Sequence, residues 1–272
     1  MESARKESVA IIVPCFNEER RLQLHAFQRL LADQTVRLIF VDDGSRDGTP
    51  ELLETFCKTS NDRALCLQLP NNQGKAEAVR QGMLSAYEAG DTYIGFVDAD
   101  LATPIDETLA MIETARADHS SVFTGCRVGL AGSTIQRGFF RHIFGRLFAR
   151  AAALALGIRY YDTQCGAKIF KRSLLLRQAL SLPFIDRWSF DVELIGRFLY
   201  PIGNDTSPLT PRDFKEVPIY NWRQIPGSKL SVPQMVRTVF SLLSVSAVLR
   251  RRKKMLQNVK NVVKLGSAER SG

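Results

Sequence analysis

The chain reads as an α/β protein built on a mostly parallel sheet flanked by helices, and three observations predict this. Short apolar runs alternate with helical patterns through the first half. Polar sequence rich in Asp, Asn and Gly follows each run, where sheets of this type bind their ligands. At 272 residues with 45% hydrophobic content, the chain has enough apolar side chains for a large core.

The elements follow in order. "VAIIVP" (9–14) predicts a strand followed by a helix over about 18–32, and "VRLIFVDD" (36–43) a second strand before a helix at 49–58. "ALCLQLP" (64–70) precedes a helical pattern at 75–89, and "TYIGFVDAD" (92–100) one at 105–117. Their polar sequels, "CFNEE", "DDGSRDGT", "NNQGKAEA" and "DADLAT", are therefore expected along one sheet edge. The second half is less regular: a basic amphipathic helix at 137–156, a helix at 187–200, and a strand in "FKEVPIYNW" leading into "RQIPGSKL". Residues 1–230 read as one domain, and 231–272 as an amphipathic, basic C-terminal segment with a frayed end.

The net charge of +9, from 37 basic and 28 acidic residues, calls for an anionic partner: nucleic acid, a membrane surface or a phosphorylated substrate. Nucleic acid is disfavoured because the aromatics lie on helical patterns beside apolar residues and not on a strand platform. The five cysteines are odd in number and lack a C-x-x-C pair, so they read as reduced core residues. "MESARKES" does not read as a signal peptide, and "TVFSLLSVSAVL" (238–249) falls well short of the roughly 20 residues a bilayer span needs.

"FVDADLAT" ends an apolar strand on Asp98 and Asp100, two like charges one residue apart. A solvated turn, or a cap on the next helix with Pro104 in its first turn, is one explanation. The other is a divalent cation. Carboxylate oxygens suit Mg²⁺ or Mn²⁺, which complete their shells with water and a substrate's phosphates.

Taken with "VPCFNEE" and "VDDGSRDGT", this segment resembles the family 2 glycosyltransferases, nucleotide-sugar enzymes of the GT-A (Rossmann-like) fold. "LPNNQGKAEAVRQGM" is similar to that family's N-x-G-K-x-x-A-x-x-x-G segment. "DTQCGAKIF", "RWSFDVEL" and "NWRQIPGSKL" resemble the dolichyl-phosphate β-glucosyltransferases more than the dolichol-phosphate mannose synthases. The resemblance covers about residues 8–230. It implies that Pro14, Asn17 and Glu18 line the nucleotide, that Asp42 and Asp43 contact base and ribose, and that Asp98 and Asp100 hold metal and diphosphate. Gly74, Lys75 and Ala99 complete the donor side of the matched motifs, and Gln164 joins the acceptor side. The mannose synthases commonly carry a glutamine where this chain has Ala102, which leaves part of a metal's shell to water.

Charge argues the acceptor side. Arg127 at a strand end, with Arg137 and Arg141 opening the basic helix, offers guanidinium forks to a phosphomonoester, with a solvated basic face as the alternative. "GFFRHIFGRLFARAAALALGI" mixes arginines with phenylalanines as a helix in a membrane interface does, with core packing as its rival. Arg223, Ser228 and Lys229 beside Gly227 read as a diphosphate clamp or a plain surface turn. Asp191 orients sugar or acceptor without moving a proton, since a phosphate acceptor is already ionised at neutral pH. Trp188 faces the sugar or fills the core.

The combined expectation is an inverting transferase of glucose from UDP-glucose to dolichyl or polyprenyl phosphate, bound peripherally at the cytoplasmic face of an anionic membrane. A membrane protein is the alternative anchor. The rivals are another donor, GDP-mannose or a UDP-N-acetylhexosamine, and a catalytically silent membrane adaptor.

Overall fold

The computed structural model describes residues 7–127, 134–135, 139–187, 189–202, 206–222 and 232–268, with backbone alone at 134–135, 139–144, 146, 232–236 and 259–268. Arg137, Trp188, Arg223, Ser228 and Lys229 lie outside these residues, as does the side chain of Arg141.

Four β/α units open the chain. Strand β1 (Val9–Cys15) precedes the short helix α1 (Leu24–Gln28), and β2 (Val36–Asp42) precedes α2 (Thr49–Lys58). Strand β3 (Ala64–Gln68) precedes α3 (Lys75–Ala89), and β4 (Tyr93–Phe96) precedes α4 (Ile105–Ala117). Thereafter come β5 (Val122–Cys126), β6 (Thr134–Ile135), α5 (Phe139–Leu156), β7 (Lys168–Lys171), α6 (Leu174–Ala179), α7 (Phe190–Leu199), β8 (Phe214–Pro218), β9 (Asn221–Trp222) and α8 (Val232–Ala268).

Seven strands form one sheet in the order β3-β2-β1-β4-β7-β5-β8. The first four run parallel, as the alternation predicts, and β7 lies antiparallel between β4 and β5. The strand order reverses at β1, between β2 and β4, which sets a binding crevice beyond the carboxyl ends of those strands.

The sheet is buried on both faces, so β1, β2 and β4 are almost continuously apolar, as parallel strands covered by helices must be. One core packs Ile11, Val13, Leu38 and Phe40 under α1 and α4. The other packs Ile12 and Ile39 under Val79 and Met83 of α3. All five cysteines are free thiols.

Two expectations change. The helix expected over 18–32 shortens to α1 and a 3₁₀ turn at Arg29–Ala32, because Arg21 and Leu22 donate backbone N–H groups to the Glu18 carbonyl and form a turn first. Strand β7 and helix α6 had no counterpart in the alternation. Leu242, Val245 and Leu249 of α8 are buried against Phe148 and Leu156 of α5 and Val192 and Ile195 of α7. No helix among the described residues is long and apolar enough to cross a membrane.

Candidate active site

A cavity of about 450 Å³ opens beyond the ends of β1 and β4. That size suits a small-molecule ligand. Pro14 and Glu18 line it from the β1 end, Asp43 from β2, Gly74 and Lys75 from the start of α3, and Asp98, Ala99 and Asp100 from β4. Gln164, Arg187, Phe190 and Asp191 close the far side, with Arg21 and Asn72 at the near one. Residues distant in sequence therefore meet because the parallel strands end together.

The backbone that presents the acidic pair is tightly specified. Leu101 follows Asp100 with φ of 56°, a conformation costing an L-residue about 1–2 kcal/mol. It is held there by packing against the core and by the Ala102 N–H, which donates to Asp100 Oδ1 at 3.0 Å. Asp100 thus closes a local turn and does not cap α4, whose N-cap is Pro104 without a side-chain hydrogen bond. Burial, then the charge of Asp98, raises the Asp100 carboxyl above the usual carboxylate range, against the opposing pull of the Ala102 N–H, Lys75 and Arg21.

Asp98 forms an ion pair with Lys75. Desolvation pulls the Lys75 ammonium down, but Asp98, Asp191 and Asp100 outweigh it and hold the group above an ordinary lysine. On the other side Asp98 lies against Gly166, where a Cβ would fall 1.9 Å from Asp98 Oδ2. Only the absence of a side chain lets the carboxylate sit there.

Asp43 is largely committed to the protein. It accepts the backbone N–H groups of Gln73 at 2.7 Å and Gly74 at 2.8 Å, and the Asn72 amide at 3.0 Å. It thereby fixes the turn before α3, where Gly74 takes φ of 97°, a region that favours glycine. The Arg187 stem covers Gly74 so closely that a Cβ would fall 2.6 Å from its Cδ. Burial raises the Asp43 carboxyl, partly offset by those N–H donors and by Arg187.

Asp191 is buried and accepts a 2.6 Å hydrogen bond from Lys168, itself fully buried and bonded to the Cys165 carbonyl. A carboxylate so neutralised serves position better than proton transfer. Gln164 lines the cavity and has a buried amide nitrogen with no hydrogen-bond partner among the described residues.

Three sequence expectations find different surroundings. Arg127 does not line the cavity: its Nε and Nη2 donate to Asp162 at 2.6 and 2.8 Å, and its guanidinium lies over the Trp222 ring. Asn17 also lies outside the cavity lining, organising the 45–46 turn through Ser45 and Arg46. Asp42 is fully buried; one oxygen accepts from Ser45 N–H, and the other has no partner among the described residues.

Arg187, Gly166 and Lys168 went unselected by sequence reasoning, although the motifs "RWSFDVEL" and "DTQCGAKIF" contain all three.

Asp98 and Asp100 fit a hard divalent cation in donor type. No cluster of three or more His, Cys, Asp or Glu suited to a metal occurs among the described residues, so such an ion would draw its other ligands from water and a substrate's diphosphate.

Comparison with known proteins places the chain. Residues 10–177 match the family model described as glycosyl transferase family 2. Dolichyl-phosphate beta-glucosyltransferase of Homo sapiens is 32% identical over 247 residues, covering 82% of this chain and 70% of that protein. The Drosophila melanogaster protein of that name is 33% identical over 263 residues, covering 89% and 76%. Among solved structures, glucosyl-3-phosphoglycerate synthase from Mycobacterium tuberculosis in complex with Mn²⁺ and UDP-glucose shares the fold, with a TM-score of 0.62 at 20% identity over 89% of this chain and 79% of that one.

Proposed function

The chain belongs to glycosyltransferase family 2, and we propose that it transfers glucose from UDP-glucose to dolichyl or polyprenyl phosphate at the cytoplasmic face of a membrane, with inversion at the anomeric carbon. The observation that carries this reading is the mixed charge of one cavity: Asp98 and Asp100 face it together with Lys75, Arg21 and Arg187. Carboxylates serve a cation there, and the basic groups serve a diphosphate. The likeness to dolichyl-phosphate beta-glucosyltransferases over most of the chain supports the choice of acceptor and sugar.

In the reaction an oxygen of the acceptor phosphate attacks the anomeric carbon, that carbon's bond to the diphosphate oxygen breaks, and UDP leaves with the bonding pair. The acceptor arrives ionised, so no side chain has to remove a proton. The hydrogen bond from Lys168 fixes Asp191 beside the cavity, where it orients a sugar hydroxyl. The unpartnered Gln164 amide donates to a substrate oxygen. Lys75 and Arg187 neutralise phosphate charge. A Mg²⁺ or Mn²⁺ ion held by Asp98 and Asp100 would supply Lewis-acid stabilisation of the departing diphosphate.

The donor is tested by a panel. Purified enzyme given radiolabelled UDP-glucose, GDP-mannose and UDP-N-acetylglucosamine with polyprenyl phosphate transfers glucose; preference for another donor overturns the sugar assignment.

A membrane surface is supported by the exposed faces of two helices. Leu147 and Leu154 of α5 are 66% and 83% exposed, with Arg150 exposed between them. On α8, Phe240 and Leu243 project outward, followed by exposed Arg250, Arg251, Lys253 and Lys254. Apolar and basic side chains in this order suit acyl chains and anionic headgroups.

A further inference from the structure

A second depression of about 410 Å³ lies beside the active-site cavity, between the segment 185–187 and the first half of α8. Arg187 lines both. It is therefore the rim between the space holding Asp98 and Asp191 and a groove whose other wall is Arg237, Phe240, Ser241 and Ser244.

The groove is built for an anion carrying an apolar tail. Arg237 is exposed and has no acidic partner among the described residues. Arg187 donates a single hydrogen bond among those residues, to Asn72 Oδ1 at 3.2 Å, which leaves most of its five N–H donors available. Ser241 is 5% exposed, and its buried hydroxyl has no hydrogen-bond partner among the described residues. A buried hydroxyl without a partner is costly, and a ligand oxygen would satisfy it. Asp186, the carboxylate among the lining residues, accepts the Ser189 N–H at 3.3 Å, and Ser244 donates to the Phe240 carbonyl at 3.2 Å.

Apolar surface adjoins these polar groups. Ile185 is 48% exposed and Phe240 65%, and Leu243, 60% exposed, continues the apolar face one helical step along α8.

We propose that this groove binds the acceptor: Arg187, Arg237 and Ser241 hold a phosphomonoester, and Ile185, Phe240 and Leu243 guide the first carbons of its isoprenoid chain toward the membrane. The proposal rests on the function proposed above and assigns its acceptor subsite to α8, a role the sequence placed on Arg127 and the basic helix. Two guanidinium groups and a hydroxyl match a phosphate's oxygens, while a water-soluble phosphate would leave the apolar wall unused. Its continuity with the cavity brings the nucleophilic phosphate to the donor through Arg187.

The test uses the full chain with UDP-[¹⁴C]glucose and citronellyl phosphate, a short prenyl phosphate soluble without membranes. Arg237→Gln raises the acceptor KM roughly tenfold, the loss of one charge-assisted contact, and leaves the UDP-glucose KM within about twofold. Ser241→Ala raises the acceptor KM roughly threefold while Tm stays level or rises, because an unpartnered buried hydroxyl adds nothing to the free protein's stability. Unchanged acceptor KM in both variants, or equal rises for donor and acceptor, while the wild type transfers normally, overturns the groove and leaves the function standing. A wild type that neither binds citronellyl phosphate by calorimetry nor transfers glucose to it overturns both.

Discussion

Replacing Gly166 by alanine isolates the geometry of the acidic pair with one methyl group. Gly166 does not occupy the left-handed region, so alanine meets no backbone penalty and the effect is purely steric. The new Cβ would lie 1.9 Å from Asp98 Oδ2 and 2.4 Å from Asp98 Cγ. A relaxed carbon–oxygen approach is about 3.3 Å, so the carboxylate must retreat by roughly 1.4 Å and abandon its present position against Lys75. Overpacking of this kind costs about 1–3 kcal/mol of stability, and a misplacement near 1 Å costs about 10²-fold in rate. Turnover of UDP-glucose at saturating acceptor and Mn²⁺ binding followed by electron paramagnetic resonance should both fall, while far-ultraviolet circular dichroism stays native. Wild-type turnover and Mn²⁺ affinity in a folded Gly166→Ala protein would refute the reasoning.

Other consequences follow from buried and exposed charge. Lys168→Met leaves Asp191 buried without its cation and should lower stability by about 3–5 kcal/mol in urea melts; Lys168→Met with Asp191→Leu should recover much of that loss, since a buried pair is often replaceable by apolar side chains. Burial, then the hydrogen bond with Glu7, lifts the Tyr93 hydroxyl to about 12. The stability it contributes is complete below the unfolded value of about 10 and drains as pH rises toward 12, so ultraviolet phenolate titration should show one late tyrosine fewer in Tyr93→Phe than in the wild type. Changing Arg250, Arg251, Lys253 and Lys254 to Gln removes four exposed charges worth about 1 kcal/mol each at an anionic surface. Flotation should show release from phosphatidylserine vesicles with activity on citronellyl phosphate retained; persistent binding at low salt moves the anchor to α5.

The parallel half of the fold was legible because β1 to β4 are apolar runs punctuated by polar turns, and a parallel sheet leaves little choice about where those turns gather. Strand β7 escaped because four residues, Lys168–Lys171, carry no periodicity, and its lysine ends argue against a central strand. Lys168 is fully buried there only because Asp191 lies 2.6 Å away, a pairing across 23 residues that no local pattern announces. The pairing of Arg127 with Asp162 is hidden in the same way, since its partner is 35 residues on. The acidic pair at Asp98 and Asp100 was visible from spacing, but the space it needs depends on a glycine without charge or conformational signature. Arg187 was overlooked beside Trp188, since its value lies in joining two depressions and α8 supplies one wall of the second.

Glucose transfer itself tests the central claim most directly. Purified wild type, Asp98→Asn and Asp100→Asn are compared for transfer of radiolabel from UDP-glucose to dolichyl phosphate in the presence of Mg²⁺ or Mn²⁺, with circular dichroism to verify folding. The account predicts a glucosyl lipid phosphate from the wild type, of β configuration by nuclear magnetic resonance, and loss of product in both folded variants. Product formation undiminished in both variants, or a wild type that makes no glucosyl lipid phosphate, would contradict it.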